Sequence, residues 1–297
     1  MSQIDDEYIN DTLRVKCETV YHYTSFSVLP EFFKDDADLY CTNAKCLNDP
    51  TEIVLGARGF ADYLWERGVF SEDRHRLLLT NINEALDSDW FDAWIMSLSM
   101  AGDALSLWRG YVSREEGGYA IGFDVAKLVK ALKRRTPCAT DSRINMIPHM
   151  MRCWYAKDEV RLIKKFYGVR YEKYKASFDG YAHADKLDPE TIKEAVASIL
   201  PFSMHIKHNA FRDEEEARII INVPGCDYSK MRILGAKPRM PLGLPSLKEP
   251  LHSYINEIRI SPHGQKDRLR AQVEWLKRKC NGKFKIVNSD IPYDPSR

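Results

Sequence analysis

The chain is predicted to be an α+β protein. Segments rich in β-branched and aromatic residues cluster near both ends, and helical patterns are interspersed among them without regular strand–helix–strand alternation, which argues against a doubly wound sheet. The 297 residues are 44% hydrophobic and 29% charged, a globular composition that excludes general disorder. They read as a single domain, 1–297, with a polar lead-in over 1–18.

In chain order, TVYHYTS (19–25) reads as the first strand. A short helix follows over 27–36, with Pro30 in its first turn, where a missing N–H costs little. Residues 37–45 return as a strand, and LNDPTE (47–52) is turn chemistry. Through 51–87 apolar residues recur at helical spacing, first Ile53, Ala57, Phe60, Ala61 and Leu64, then Leu77, Leu78, Ile82 and Leu86. AWIMSLSM (93–100) has strand length, 104–113 is a short helix, and 117–124 is a strand opened by two glycines. The amphipathic helix 125–135 ends in cations, which suit the negative end of its dipole. GVRYEKY (168–174) reads as a strand, and 189–200 as a helix capped by Asp188. Strands are expected at 214–225, 254–262 and 283–291. Between the last two runs a helix with Leu269, Val273, Leu276 and Cys280 on one face, stopped by Asn281-Gly282. The loops 136–147 and 236–250 are long enough to be functional.

Lysine and arginine number 44 against 43 acidic residues, so the net charge of +1 points to no nucleic-acid or membrane partner in bulk, and any such site must be local. The N-terminus is acidic and has no apolar signal core, and no stretch approaches the roughly 18 apolar residues that span a bilayer. A cytoplasmic protein with no membrane partner is expected. Seven scattered cysteines without CxxC spacing are expected to be reduced, with no bound metal. GxxxxGK[ST], GxGxxG, HExxH and GxSxG are all absent, which argues against a P-loop ATPase, a Rossmann enzyme, a zincin or an ordinary serine hydrolase.

Three local patterns carry candidate chemistry. In FRDEEEARIII (211–221), strand alternation would place Glu214, Glu216 and Arg218 on one face. Two neighbouring carboxylates raise one another's pKa unless a cation intervenes, and Arg218 is the candidate cation; the ordinary alternative is a solvated edge strand. In Tyr21-His22-Tyr23-Thr24, His22 shares a face with Thr24 and Tyr21 with Tyr23, although a lone strand histidine is more often structural. Trp108-Arg109-x-Tyr111 sets a cation beside two aromatics, a pattern suited to phosphate binding and ring stacking and equally to ordinary packing.

In order along the chain, YHYTS (21–25), LYCTNAKCLNDPTE (39–52), SLS (97–99), LWRGYVSREEGGYAIGFD (107–124), KHNAFRDEEEARII (207–220) and a tail with IRISPHG and IVNSDIPY resemble a widespread bacterial domain family of unknown function. That family is grouped with the ADP-ribosyltransferases, and its members often sit in phage-defence or toxin contexts. The resemblance runs from about Tyr21 to Tyr293; at Ser97 the family more often has cysteine. It implies an ADP-ribosyltransferase-like fold of split antiparallel β-sheets with surrounding helices, holding NAD in the cleft between the sheets. It also implies that a His or Arg, a Ser or Tyr and a Glu come from three strands. Carried over, His22 holds the ribose or nicotinamide side, Ser99 takes the second role, Glu216 is the catalytic carboxylate and Glu214 its helper. A fixed carboxylate would stabilise the charge that develops on the ribose, and its neighbour would take a proton from the incoming nucleophile. Thr24, Asn48 and Asp49 join the NAD-binding set, with Arg109 or Arg218 on the pyrophosphate and Trp108 or Tyr111 stacked on a ring. On this reading Glu216→Gln abolishes transfer with folding nearly intact.

The implied protein is a toxin of an anti-phage or toxin–antitoxin system, acting on a macromolecule, with an antitoxin or chaperone as a partner; local positive charge, not the resemblance, favours RNA or DNA over protein as the acceptor. A basic, aromatic-interleaved segment at 150–175, including Arg161, Lys164, Lys165 and Arg170, together with Lys127, Lys130 and Arg134, is the candidate nucleic-acid surface; solvated helical faces are the alternative. Two other functions stay open: a non-catalytic relative that binds a nucleotide or partner, and a metal-dependent nuclease using Asp49, Glu52 and Glu214, for which no tight acidic cluster is evident.

Overall fold

The strand Ala93–Ser99 organises the fold because six of its seven residues are buried and both of its edges are paired. The computed structural model describes residues 14–47, 52–87, 93–132, 149–184, 188–222, 232–234, 237–241 and 249–292. Asn48, Asp49, Arg134, the loop 136–147 and most of 236–250 lie outside the described residues.

The strands are β1 (Thr19–Ser25), β2 (Tyr40–Asn43), β3 (Ala93–Ser99), β4 (Gly118–Asp124), β5 (His149–Arg152), β6 (Trp154–Tyr155), β7 (Ile206–Lys207), β8 (Glu216–Asn222), β9 (Arg232–Leu234), β10 (Lys237–Pro241), β11 (Ile255–Ile260) and β12 (Lys285–Asn288). One edge of β3 pairs antiparallel with β8 over its full length, and β8 pairs with β5. The other edge is shared. At its C-terminal end β3 meets β1, which continues through β4 and β11 to β12. At its N-terminal end it meets β2, which continues to β10 and β9. Every pairing of this mixed sheet is antiparallel except β11 with β12; β6 and β7 form a separate short parallel pair.

Alternation along the strands sends successive side chains to opposite faces, and the two faces are covered differently. Trp94, Met96 and Leu98 of β3, Tyr119, Ile121 and Phe123 of β4 and Ile219 of β8 bury one face. It is covered by α4 (Val125–Leu132) and α8 (Lys266–Lys279) through Leu128, Leu132, Leu269, Val273 and Leu276. The other face, around Ile95 and Ile220, is covered by α1 (Glu52–Glu66), α2 (Glu72–Asp87), α5 (Val160–Lys173), α6 (Lys175–His183) and α7 (Pro189–Ser203). A smaller cluster of Tyr23, Ala120, Leu107, Trp108 and Val112 seats α3 (Leu105–Tyr111) beside β1 and β4.

Within the helical layer Phe60 is 1% exposed, stacked on Tyr167 at 4.9 Å and edge-on to Phe178 at 5.5 Å. Phe60→Ala is therefore expected to destabilise the protein by about 3–5 kcal/mol, the cost of lost burial plus the residual cavity. Chemical denaturation reads this, and a loss of under about 1 kcal/mol would mean that the helical layer collapses around the gap.

The expected α+β class is what the structure has, and most expected elements are present with trimmed ends. Asp188 caps α7 as expected, its carboxylate accepting from the backbone N–H of Glu190 and Thr191, both at 2.9 Å. Asn281, at φ 50°, ends α8. The expected helix 27–36 is a 3₁₀ turn over Leu29–Phe33. The expected strand at 168–174 is helical through Lys173, as the end of α5, with Tyr174 as its C-cap. Its tyrosine–charge alternation mimics a strand, but Ile163, Phe166, Tyr167 and Arg170 are the buried residues, and their i, i+3, i+4, i+7 spacing is one helix face.

Candidate functional site

β1 and β2 both approach the same edge of β3 and then part. β1 holds one ladder pair there, Tyr21 with Ser99, and β2 holds Thr42 with Ile95 and Asn43 with Trp94. The chain between them leaves the sheet through the turn at Leu29–Phe33. A fork opens where the strands part, and over it lies a cleft of about 460 Å³. Its walls include Tyr21, Tyr23 and Tyr40 from the two arms, Leu107 and Tyr111 from α3, and Lys207, Phe211, Glu214 and Glu216 from the segment entering β8.

The polar wall forms around a lysine. The parallel pair β6–β7 sets Lys207 opposite Tyr155. Its ammonium bonds the Glu214 carboxylate at 2.7 Å and makes a short contact with that of Glu216, while lying 4.8 Å from the Phe211 ring centre. Glu216 is also gripped by Arg218, whose Nε donates to Oε1 at 2.8 Å and Nη2 to Oε2 at 3.1 Å. The backbone N–H of Glu216 donates to the Tyr155 hydroxyl at 2.9 Å. Glu216 and Arg218 are 3% and 1% exposed, and two buried cations here face two carboxylates. Burial alone would raise the Glu216 pKa, but Arg218 and Lys207 outweigh it and hold the carboxyl down to about 2.

Strand geometry alone does not produce this cluster. β8 begins at Glu216; Glu214 ends a 3₁₀ turn, and Glu215 between them is left-handed at φ 40°. The expected single-face alignment therefore holds for Glu216 and Arg218, whereas Glu214 reaches Lys207 from the turn. Ser99 helps to place it: its hydroxyl donates to the Glu214 carbonyl at 2.6 Å and accepts from the Ala101 N–H at 2.9 Å. The adjacent loop is latched by Tyr23, whose hydroxyl donates to the Ala101 carbonyl at 2.9 Å and accepts from the Ala104 N–H at 3.0 Å. The Tyr21 hydroxyl donates to Glu257 at 3.0 Å; burial and that carboxylate push its pKa up to about 12, so it remains a neutral donor at ordinary pH.

The remaining candidates are distributed differently. His22 borders the cleft, but it alternates to the face of Val20, where its ring lies 5.8 Å from that of Phe32. Thr24 shares that parity and is buried. Trp108 is fully buried, edge-on to Tyr23 at 4.7 Å, with its indole N–H donating to Asp103 at 2.7 Å. Its ring is thus enclosed by protein, whereas Tyr111 is 48% exposed on the cleft wall. Arg109 is exposed on α3, outside the cleft lining.

Of the basic segments, α4 and α5 lie on opposite faces of the sheet, so their cations do not form one groove. Lys164 pairs with Glu66 at 3.1 Å, and Arg170 is 6% exposed, with its guanidinium 5.4 Å from the Tyr174 ring centre. Lys127, Lys130, Arg161 and Lys165 are exposed. Among the described residues, no helix is long and apolar enough to cross a membrane.

Sequence reasoning missed Lys207, Tyr40 and Phe211. Lys207 follows buried Ile206 and is followed after seven residues by the first of the two carboxylates, a faint signal that nothing in the local pattern ties to them. Comparison with curated proteins finds no match, and comparison with solved structures finds none. Residues 107–219, which carry both the α3 wall and the Lys207–Glu216 cluster of this cleft, match the family model described as Protein of unknown function (DUF2971).

Proposed function

We propose that the cleft binds NAD and that the protein is an NAD-dependent ADP-ribosyltransferase, the toxin of an anti-phage or toxin–antitoxin system. The observation that carries this reading is the placement of two carboxylates, Glu214 and Glu216, around one lysine on the wall of a cleft otherwise rich in aromatic side chains. The split-sheet fold of the transferases belongs to the proposal too, supported by the parting of β1 and β2 on β3.

In this reading the bond between nicotinamide nitrogen and ribose C1′ breaks, and its electron pair leaves with nicotinamide. The acceptor's nucleophile then bonds to C1′, losing its proton to a carboxylate. Of the two carboxylates on the cleft wall, Glu214 is the more accessible to ligand, its side chain being 19% exposed against 4% for Glu216. Glu216 holds Lys207 and Arg218 in place, and Lys207 in turn fixes the Glu214 carboxylate, the group that would face the positive charge developing on the ribose. Tyr111 and Phe211 supply ring surfaces, and His22 seats β1 against Phe32. The acceptor is a macromolecule, nucleic acid being favoured over protein, with the exposed Arg161 and Lys165 as its first test positions.

Incubation with adenine-labelled NAD and cell extract tests the reading. Label is expected in a macromolecular fraction, released by nuclease rather than protease. No incorporation by folded protein would overturn the transferase reading, and degraded nucleic acid without label would favour the nuclease.

A further inference from the structure

The exposed residue of β3 is Ser97; the other six are buried. Its backbone direction follows from its neighbours. The Met100 N–H donates to the Glu215 carbonyl at 2.9 Å, so even-numbered residues of β3 direct their backbone groups to β8 and odd-numbered ones to the opposite edge. The ladder partners agree, for Ile95 pairs with Thr42 and Ser99 with Tyr21 on that edge. Continuing either register would bring Ser97 opposite Tyr23 on β1 or Tyr40 on β2, yet among the described residues the ladders stop short of it on both sides. The N–H and C=O of Ser97 thus face the fork, on the floor of the aromatic cleft.

We infer that Ser97 is a recognition position that reads, through its backbone N–H and C=O together, the edge of a planar ligand group carrying a hydrogen-bond donor beside an acceptor. A carboxamide-bearing ring and a nucleobase share that chemistry. A strand residue whose partner is missing offers the same donor–acceptor pair to a ligand that it would offer to another strand. Tyr21, Tyr23, Tyr40, Tyr111 and Phe211 line the space above it with ring surface suited to a flat group. The inference deepens the proposed function and rests on the same cleft, but it needs no bond cleavage.

Two sets of measurements test it. Calorimetric titration of the wild-type protein compares nicotinamide with N,N-dimethylnicotinamide, which lacks the donor, and uracil with 1,3-dimethyluracil. At least one parent is expected to bind, with its methylated analogue weaker by about tenfold, as for one lost hydrogen bond; which parent binds identifies the source of the edge. Ser97→Pro removes the N–H from the fork side alone and leaves the β3–β8 ladder its donors. It is expected to weaken the binding parent by about the same factor. If Ser97→Pro does not fold, the methylated ligands decide alone. Equal binding of parent and methylated analogue, equal binding by folded Ser97→Pro, or binding of neither parent overturns the inference. NAD affinity separates the two proposals: where nicotinamide is the parent that binds, NAD binding unaffected by Ser97→Pro defeats this inference only, whereas parent binding without NAD binding defeats the transferase reading only.

Discussion

Glu216→Gln is expected to destabilise the fold by about 3–5 kcal/mol, because removing one partner of a buried ion pair leaves the others uncompensated. Lys207 and Arg218, 4% and 1% exposed, would be left with Glu214 as the remaining carboxylate of the cluster. That is a large share of the roughly 5–15 kcal/mol by which a domain is stable, so the near-intact folding expected for this variant from the transferase resemblance gives way to a large loss. Urea denaturation reads the change, and a shift worth less than about 1 kcal/mol would show that water or a rearranged Glu214 satisfies both cations. Adding Lys207→Met to Glu216→Gln should recover part of the loss, since the two residues are coupled. The same cluster sets an acid dependence. The Glu216 pKa is depressed in the folded state, so its contribution is present above the ordinary value of 4.5 and is lost as pH falls towards about 2. Glu216→Gln should flatten the stability profile in that window.

Glu214→Gln is expected to give the opposite pattern, a loss of about 10²-fold or more in transfer with a modest change in stability. Its side chain is part-exposed on the cleft wall and holds one ion pair, to Lys207 at 2.7 Å. Losing that pair should cost about 1.5–3 kcal/mol, as for a hydrogen bond to a charged group, whereas a preorganised charge facing the developing cation acts on the transition state and falls on the rate. NAD affinity should change little, because the effect falls on the transition state rather than on ground-state binding. Single-turnover rates with labelled NAD, beside melting curves, make the comparison. Turnover within a few-fold of wild type would remove Glu214 from the chemistry and leave it a partner of Lys207.

What the sequence determined by itself is local. The β-branched and aromatic content of TVYHYTS, the apolar run AWIMSLS and the glycine-opened GGYAIGFD were enough to place β1, β3 and β4, and the spacing of Leu269, Val273 and Leu276 was enough for α8. The Asp188 cap needed only the few residues after it. The grip of Arg218 on Glu216 was legible for the same reason, two residues apart on one strand. Misreading 168–174 came from too short a window, since the apolar face that makes it helical begins at Ile163.

Tertiary structure decided everything that depends on which face is covered and where a ladder stops. Alternation separates His22 from Tyr21 and Tyr23, but only the packing of Phe32 on one face and α3 on the other turns the tyrosines toward the cleft. Lys207 meets its carboxylates because β7 pairs with β6 and a left-handed Glu215 bends the chain back. Ser97 is exposed because strands from distant parts of the chain share one edge of β3 and part before reaching it. Helical and strand periods are properties of adjacent residues, whereas register and face are settled by burial among residues far apart in the chain, as Tyr21 with Ser99 and Ser97 with Arg218.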